Sequence, residues 1–194
     1  MGRRNIPNLL TALRIVLGVF VFAGLAAAAG APPFPAQPSG ATAQALIVTS
    51  LIAFIVAALT DYLDGYLARL WKVSSPWGAM LDPIADKIAV AAAIVGLALL
   101  IPATAAPGFV ILFREMFVSG MREAGGARGL KFPVTQLAKW KTAAQLVALS
   151  LAIGAVIVPQ VIVPALVLLW IAAALTLWTG WGYAMAANRG LKGL

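Results

Sequence analysis

The sequence predicts an all-α integral membrane protein, a six-transmembrane-helix bundle with both termini cytoplasmic. Three observations predict it. Hydrophobic residues make up 62% of the 194-residue chain and charged residues only 10%, against about 45–50% apolar and about 25% charged in ordinary globular domains. The apolar residues gather in six runs long enough to cross a bilayer, separated by turn residues or basic segments. The charges are segregated: alternate connections carry basic residues and the intervening ones carry none.

The first helix is expected over residues 8–29. Arg3 and Arg4 before an apolar run imitate a signal peptide, but Arg14 interrupts the run early. The stretch then continues to Ala29, too long for a signal core. Residues 30–40 are an uncharged, proline-rich loop. A second helix starts near residue 41 and continues through the first aspartates to about residue 70. Ser75 reads as an N-cap with Pro76 at the first helical position, which opens a third helix over 76–100. Ile101 to Pro107 contains two prolines and reads as a short turn. The fourth helix covers about 108–125 and weakens at Gly125-Gly126. A basic loop follows, with Arg128, Lys131, Lys139 and Lys141, and the fifth helix covers about 139–157. Pro159 and Pro164 bracket a tight turn before a sixth helix over 161–187. Asn188 to Lys192 reads as a polar tail. No internal repeat or soluble domain boundary is visible, so residues 1–194 read as one domain.

Six helices put the N-terminus, the 70–76 and 126–139 loops and the C-terminus on one side. All 14 Lys and Arg residues lie on or near that side. The loops 30–40, 101–107 and 158–161 on the other side are uncharged. The positive-inside rule makes the charged side cytoplasmic, and five or seven helices would break the pattern. The net charge of +8 is then read as a topology signal and an attraction to anionic lipid, not to nucleic acid.

The chain has neither cysteine nor histidine. This excludes disulfides, thiolate and imidazole metal sites, cysteine nucleophiles and Ser-His-Asp catalysis. Any metal must be held by oxygen, which suits a hard cation such as Mg²⁺, Mn²⁺ or Ca²⁺.

Four of the six acidic residues fall between Asp61 and Asp86, within apolar surroundings. A charged side chain costs about 2.5–3.5 kcal/mol at the centre of a membrane helix, and four neighbouring carboxylates repel one another. Something cationic must hold them. Residues three and four apart share a helix face, so Asp61, Asp64, Gly65 and Ala68 line one side of the second helix. Gly78, Asp82 and Asp86 step along the third. If the two faces meet, four carboxylates converge, and the small residues leave room for phosphates to approach backbone. Two divalent ions held there suit phosphoryl chemistry. The blander alternative is a set of charges at helix ends, snorkelling or paired with Arg69, Lys72 and Lys87.

The spacing Asp61-x2-Asp64-Gly65-x2-Ala68-Arg69-x8-Gly78-x3-Asp82-x3-Asp86 resembles the signature of the CDP-alcohol phosphotransferase family without a departure. The resemblance implies a six-helix membrane enzyme, usually a homodimer. Such an enzyme moves a phosphatidyl group from CDP-diacylglycerol or a similar CDP-alcohol to an acceptor hydroxyl and releases CMP. It implies two divalent cations, Mg²⁺ or Mn²⁺, on Asp61, Asp64, Asp82 and Asp86, with Asp86 also the base for the acceptor hydroxyl. It implies CDP contacts from Gly65, Ala68, Arg69 and Gly78. In a chain without histidine a carboxylate base is also the natural choice on chemistry alone.

Arg114-Glu115 and Arg122-Glu123 repeat at eight residues, and Lys139-x-Lys141 opens the fifth helix. One reading is a basic pocket for an anionic acceptor, built from Arg114, Arg122, Lys139 and Lys141 with both arginines on roughly one face. The other is intrahelical salt bridges plus topology-setting lysines. The opening N-I-P-N-L-L-T-A-L-R, together with L-D-P-I-A-D-K, R-E-x6-R-E and K-W-K-T-A-A-Q, resembles the branch of the family that uses glycerol 3-phosphate as acceptor. That implies phosphatidylglycerol phosphate as product, made in a bacterial-type inner membrane with the site facing the cytosol. Asn8, Thr11 and Arg14 are then expected near the nucleotide or the acceptor phosphate, with a helix cap and a snorkelling arginine as the plain alternative. An inositol-phosphate acceptor or another family acceptor is the nearest rival. Membrane prenyltransferases, with longer chains and different aspartate motifs, and a cation carrier are more remote.

Overall fold

The computed structural model describes residues 5–34, 38–71, 76–126 and 136–192. Among the described residues there are six α-helices: α1 (Asn5–Ala28), α2 (Gly40–Trp71), α3 (Pro76–Leu100), α4 (Ala105–Gly126), α5 (Gln136–Ala155) and α6 (Ile162–Lys192). Short 3-10 turns at Pro102–Thr104 and Pro159–Val161 join α3 to α4 and α5 to α6. Among the described residues there is no strand. The expected helix count is observed, but several ends differ, with α1 beginning at Asn5 and α5 at Gln136, each about three residues earlier than expected. The 101–107 turn is shorter than expected because Pro107 falls in the first turn of α4, where its missing N–H costs no intrahelical bond. Asn188 to Lys192, read as a polar tail, continues α6. The Ser75 cap and the basic residues Lys72, Arg128 and Lys131 lie outside the described residues.

α1 ends where Gly30 takes a left-handed φ of 66°. Gly30 N–H donates to Ala27 O at 3.0 Å, and Ala31 N–H to Ala26 O at 3.0 Å. This is the Schellman closure, which satisfies the last carbonyls of the helix and favours glycine at that position. α3 runs through Pro83. The Lys87 ammonium reaches back to the Pro83 carbonyl at 2.7 Å, so Lys87 is anchored on backbone one turn away.

Among the described residues, four helices are long and apolar enough to cross a membrane, spanning Asn8–Ala28, Gly40–Leu67, Met80–Leu100 and Pro159–Met185. α4 and α5 fall short because they carry the polar residues Arg114, Glu115, Arg122 and Glu123, and Lys139 and Lys141. The packing is not the simple meeting of α2 with α3 that the aspartate faces suggested. α1 packs extensively against both, while α2 and α3 touch each other little. α6 closes on α5 and α4. The core between them holds Val21, Leu25, Phe54, Leu97, Ile111, Leu149, Ile153 and Leu169. Small residues permit the close approaches: a Cβ on Gly96 would lie 2.8 Å from Leu25, and one on Gly108 would lie 2.5 Å from Ile94. Close helix contact through small residues is the usual packing device in lipid, where burial of apolar surface gives little drive. The outward faces are aromatic and aliphatic, including the stacked Phe109, Phe113 and Phe117 of α4.

Candidate functional site

α1 sits between the two aspartate-bearing helices and brings a cation to them. Arg14 is 1% exposed, the largest fully buried side chain among the described residues. Its Nη1 lies 3.0 Å from Oδ1 of Asp61 and donates to Asp86, while its Nη2 donates to Asp64. One guanidinium therefore ties α1 to both α2 and α3. The fourth carboxylate is held from the same helix: Thr11 donates its hydroxyl to Asp82 Oδ1 at 2.6 Å. Thr11 and Arg14 are three residues apart on one face of α1. The plain alternative of a cap and a snorkelling arginine is thus corrected, because Arg14 points inward.

The cluster is graded in depth. Asp64 is buried at 6% exposure. The side chains of Asp61 and Asp86 are 45% and 50% exposed, and Asp82 is half-buried. Arg14 and Asp64 form the floor, with Asp61 and Asp86 at the mouth. Asp61 and Asp64 lie toward the end of α2, and Asp82 and Asp86 near the start of α3, so the antiparallel helices bring all four to one end of the bundle. Gly78 is buried and Gly65 partly so, while the side chains of Ala68 and Arg69 lie outside the described residues. Asn8 is partly exposed at the start of α1.

Among the described residues, no three carboxylates are placed to share one metal ion. The guanidinium of Arg14 lies against Asp61, Asp64 and Asp86. The donor set nevertheless fits a hard divalent cation in kind. It is all oxygen, four carboxyl groups face one guanidinium, and two of the carboxyl groups open outward.

A second polar cluster joins α4, α5 and α6. Arg114 is buried at 6% exposure. It donates from Nη1 to Glu115 Oε1 at 3.3 Å and from Nη2 to Thr179 Oγ1 at 2.9 Å. The buried Lys141 donates to the same Glu115 oxygen. Arg114 and Lys141, both expected in an anion pocket, are therefore brought together with a carboxylate between them. Arg122 is not with them; it is exposed. The expected shared face fails because eight residues in an α-helix leave a rotation of about 80°. The side chain of Lys139 lies outside the described residues. Thr179, Gly180 and Tyr183 were not anticipated as site residues. A hydroxyl, a glycine and a tyrosine in an apolar helix carry no charge, and only the position of Arg114 gives them meaning.

Four apolar spans around two buried polar clusters define a multi-pass membrane protein. The sequence profile of the CDP-alcohol phosphatidyltransferase family matches residues 4–178, and the chain belongs to that family. Several curated relatives bear the name CDP-diacylglycerol--glycerol-3-phosphate 3-phosphatidyltransferase. One from Rickettsia bellii is 35% identical over 195 residues, covering 95% of this chain and 96% of the relative. One from Haemophilus influenzae is 35% identical over 197 residues, covering 96% and 95%. One from Cereibacter sphaeroides is 55% identical over a shorter stretch of 105 residues, covering 53% of this chain and 48% of the relative.

Proposed function

We infer that this chain transfers the phosphatidyl group of CDP-diacylglycerol to the primary hydroxyl of glycerol 3-phosphate, giving phosphatidylglycerol phosphate and CMP. The observation that carries this reading is the full-length similarity to relatives named for that reaction. The four converging aspartates supply a chemical means.

Asp61, Asp64, Asp82 and Asp86 would hold two divalent cations, Mg²⁺ or Mn²⁺. Cations bound there neutralise a diphosphate and the departing phosphate of CMP. Gly65, Ala68, Arg69 and Gly78, with Asn8 and Thr11, face the CDP moiety. Arg114 and Lys141, together with Lys139, receive the phosphate of the acceptor, while the exposed Arg122 stands apart from them. Asp86 takes the proton from the acceptor's primary hydroxyl, a role its exposed position at the mouth of the cluster suits. The freed oxygen attacks the phosphorus bearing diacylglycerol, the bond from that phosphorus to the CMP oxygen breaks, and CMP leaves. The acyl chains stay in lipid throughout, entering from the side of the bundle.

All six helices span, the termini and both polar clusters face the cytosol, residues 1–194 act as one domain, and the chain works as a homodimer in a bacterial inner membrane. The charge segregation supports this orientation. The test is CMP release by purified protein in lipid–detergent micelles containing CDP-diacylglycerol, Mg²⁺ or Mn²⁺ and one acceptor at a time. Release with glycerol 3-phosphate alone is expected. Release with inositol phosphate, inositol, serine or phosphatidylglycerol instead would reassign the acceptor, and folded protein inactive with all of them would overturn the reading.

A further inference from the structure

The guanidinium of Arg114 is seated by α6 at three points. Thr179 Oγ1 accepts from Nη2 at 2.9 Å. That hydroxyl lies 3.0 Å from the carbonyls of Leu175 and Thr176 in its own helix. A hydroxyl has one proton; with it turned to the helix backbone, a lone pair is left facing Arg114. Gly180, the next residue, gives the arginine stem its room: a Cβ there would lie 2.9 Å from Arg114 Cγ and 3.2 Å from Nε. One turn on, the Tyr183 ring lies 5.7 Å from the guanidinium carbon, within range of a cation–π contact. Among the described residues, Arg114 Nε is buried without a hydrogen-bond partner, so this is a seat that fixes the group rather than one that uses up its donors. The family profile ends at residue 178, just short of all three.

We propose that Thr179, Gly180 and Tyr183 of α6 are positioning residues that set the guanidinium of Arg114 for the phosphate of the acceptor. The proposal rests on the reading of Arg114 as an acceptor-phosphate ligand. A planar guanidinium binds a phosphate through paired, directed hydrogen bonds, so a small rotation of Arg114 weakens the acceptor and leaves the nucleotide end untouched.

The experiment measures CMP release in micelles for wild type, Arg114→Gln, Thr179→Val, Thr179→Ser, Gly180→Ala and Tyr183→Phe, varying glycerol 3-phosphate and CDP-diacylglycerol separately. Thermal unfolding in detergent accompanies each. Thr179→Val keeps the side-chain volume and removes the acceptor. It is expected to raise KM for glycerol 3-phosphate roughly tenfold, the scale of one hydrogen bond to a charged group. Its kcat and its KM for CDP-diacylglycerol should stay within about twofold. Gly180→Ala is expected to do the same, and Thr179→Ser to recover most of the loss. Tyr183→Phe keeps the ring face against the guanidinium, so its rise in acceptor KM should be smaller than that of Thr179→Val. If Arg114→Gln raises the acceptor KM while folded Thr179→Val and Gly180→Ala do not, the α6 seat is refuted and the acceptor site stands. If Arg114→Gln leaves the acceptor KM unchanged, the acceptor reading of Arg114 falls and the proposal with it. A uniform loss of kcat across the α6 variants, without a KM change, also overturns it.

Discussion

Arg14 Nη1 stands 3.0 Å from Oδ1 of Asp61, and the same guanidinium holds Asp64 and Asp86. One buried cation on α1 therefore steadies three carboxylates from two other helices. Removing one partner of a buried pair leaves uncompensated charge and costs about 3–5 kcal/mol. The lower end applies here because Asp61 and Asp86 are about half exposed. Arg14→Gln in chelator should therefore unfold at a clearly lower temperature than wild type in detergent. Added Mg²⁺ should then raise the midpoint of the variant more than that of wild type, because a ligand that binds only the folded form stabilises it and no guanidinium competes for the carboxylates. Identical midpoints in chelator, measured by scanning fluorimetry, would deny Arg14 this role.

Asp86→Asn keeps the shape of the side chain and removes its charge and basicity. A positioned general base contributes about 10²–10⁴-fold, and loss of a cation ligand adds to that. CMP release should fall at least about a thousandfold while the circular dichroism spectrum stays helical. Chelation of wild-type protein should abolish release as well, with Mg²⁺ or Mn²⁺ restoring it. Thr11→Val should give a milder loss through Asp82, recovered in Thr11→Ser. Full transfer by Asp86→Asn would remove this carboxylate from the chemistry.

The six helices were legible because apolar runs, prolines and alternating basic connections all mark the same boundaries. The aspartate cluster was legible because Asp61, Asp64, Asp82 and Asp86 share faces at spacings of three and four. What was not legible was the partner. Arg14 lies about fifty residues upstream, and sequence distance does not reveal that α1 passes between α2 and α3. A single arginine near a helix end is more often at the membrane surface. Arg122 stands apart from Arg114 for a simpler reason, since an eightfold step does not close on the helical period. The α6 residues around Arg114 were invisible because their contribution is a hydroxyl lone pair, a missing Cβ and a ring face.

The absence of cysteine makes the topology directly testable. Ser39→Cys lies just before α2, and Gly126→Cys ends α4; both positions are exposed. If all six helices cross, a membrane-impermeant maleimide should label Ser39→Cys in intact cells and Gly126→Cys only after permeabilisation. If only the four apolar spans crossed, residue 126 would share the outer side with residue 39, and both would label in intact cells. The second pattern would overturn the six-span reading.

Gly18 sets how closely α1 approaches α3. A Cβ there would lie 2.9 Å from Ile88 Cγ2 and 3.3 Å from the backbone of Ala89. The side chain can turn away, but the backbone must move. Gly18 is one turn beyond Arg14 on the same face of α1, so a displaced α1 pulls Thr11 from Asp82 and Arg14 from Asp86. Overpacking of this kind costs about 1–3 kcal/mol. Gly18→Ala should therefore lower both the unfolding midpoint and CMP release. Gly120→Ala is the control: nothing lies within 4 Å of its added Cβ, and alanine is the better helix former, so neither quantity should fall. If Gly18→Ala keeps full activity and stability, the α1–α3 contact tolerates a shift, and the geometry of the cluster does not depend on this close approach.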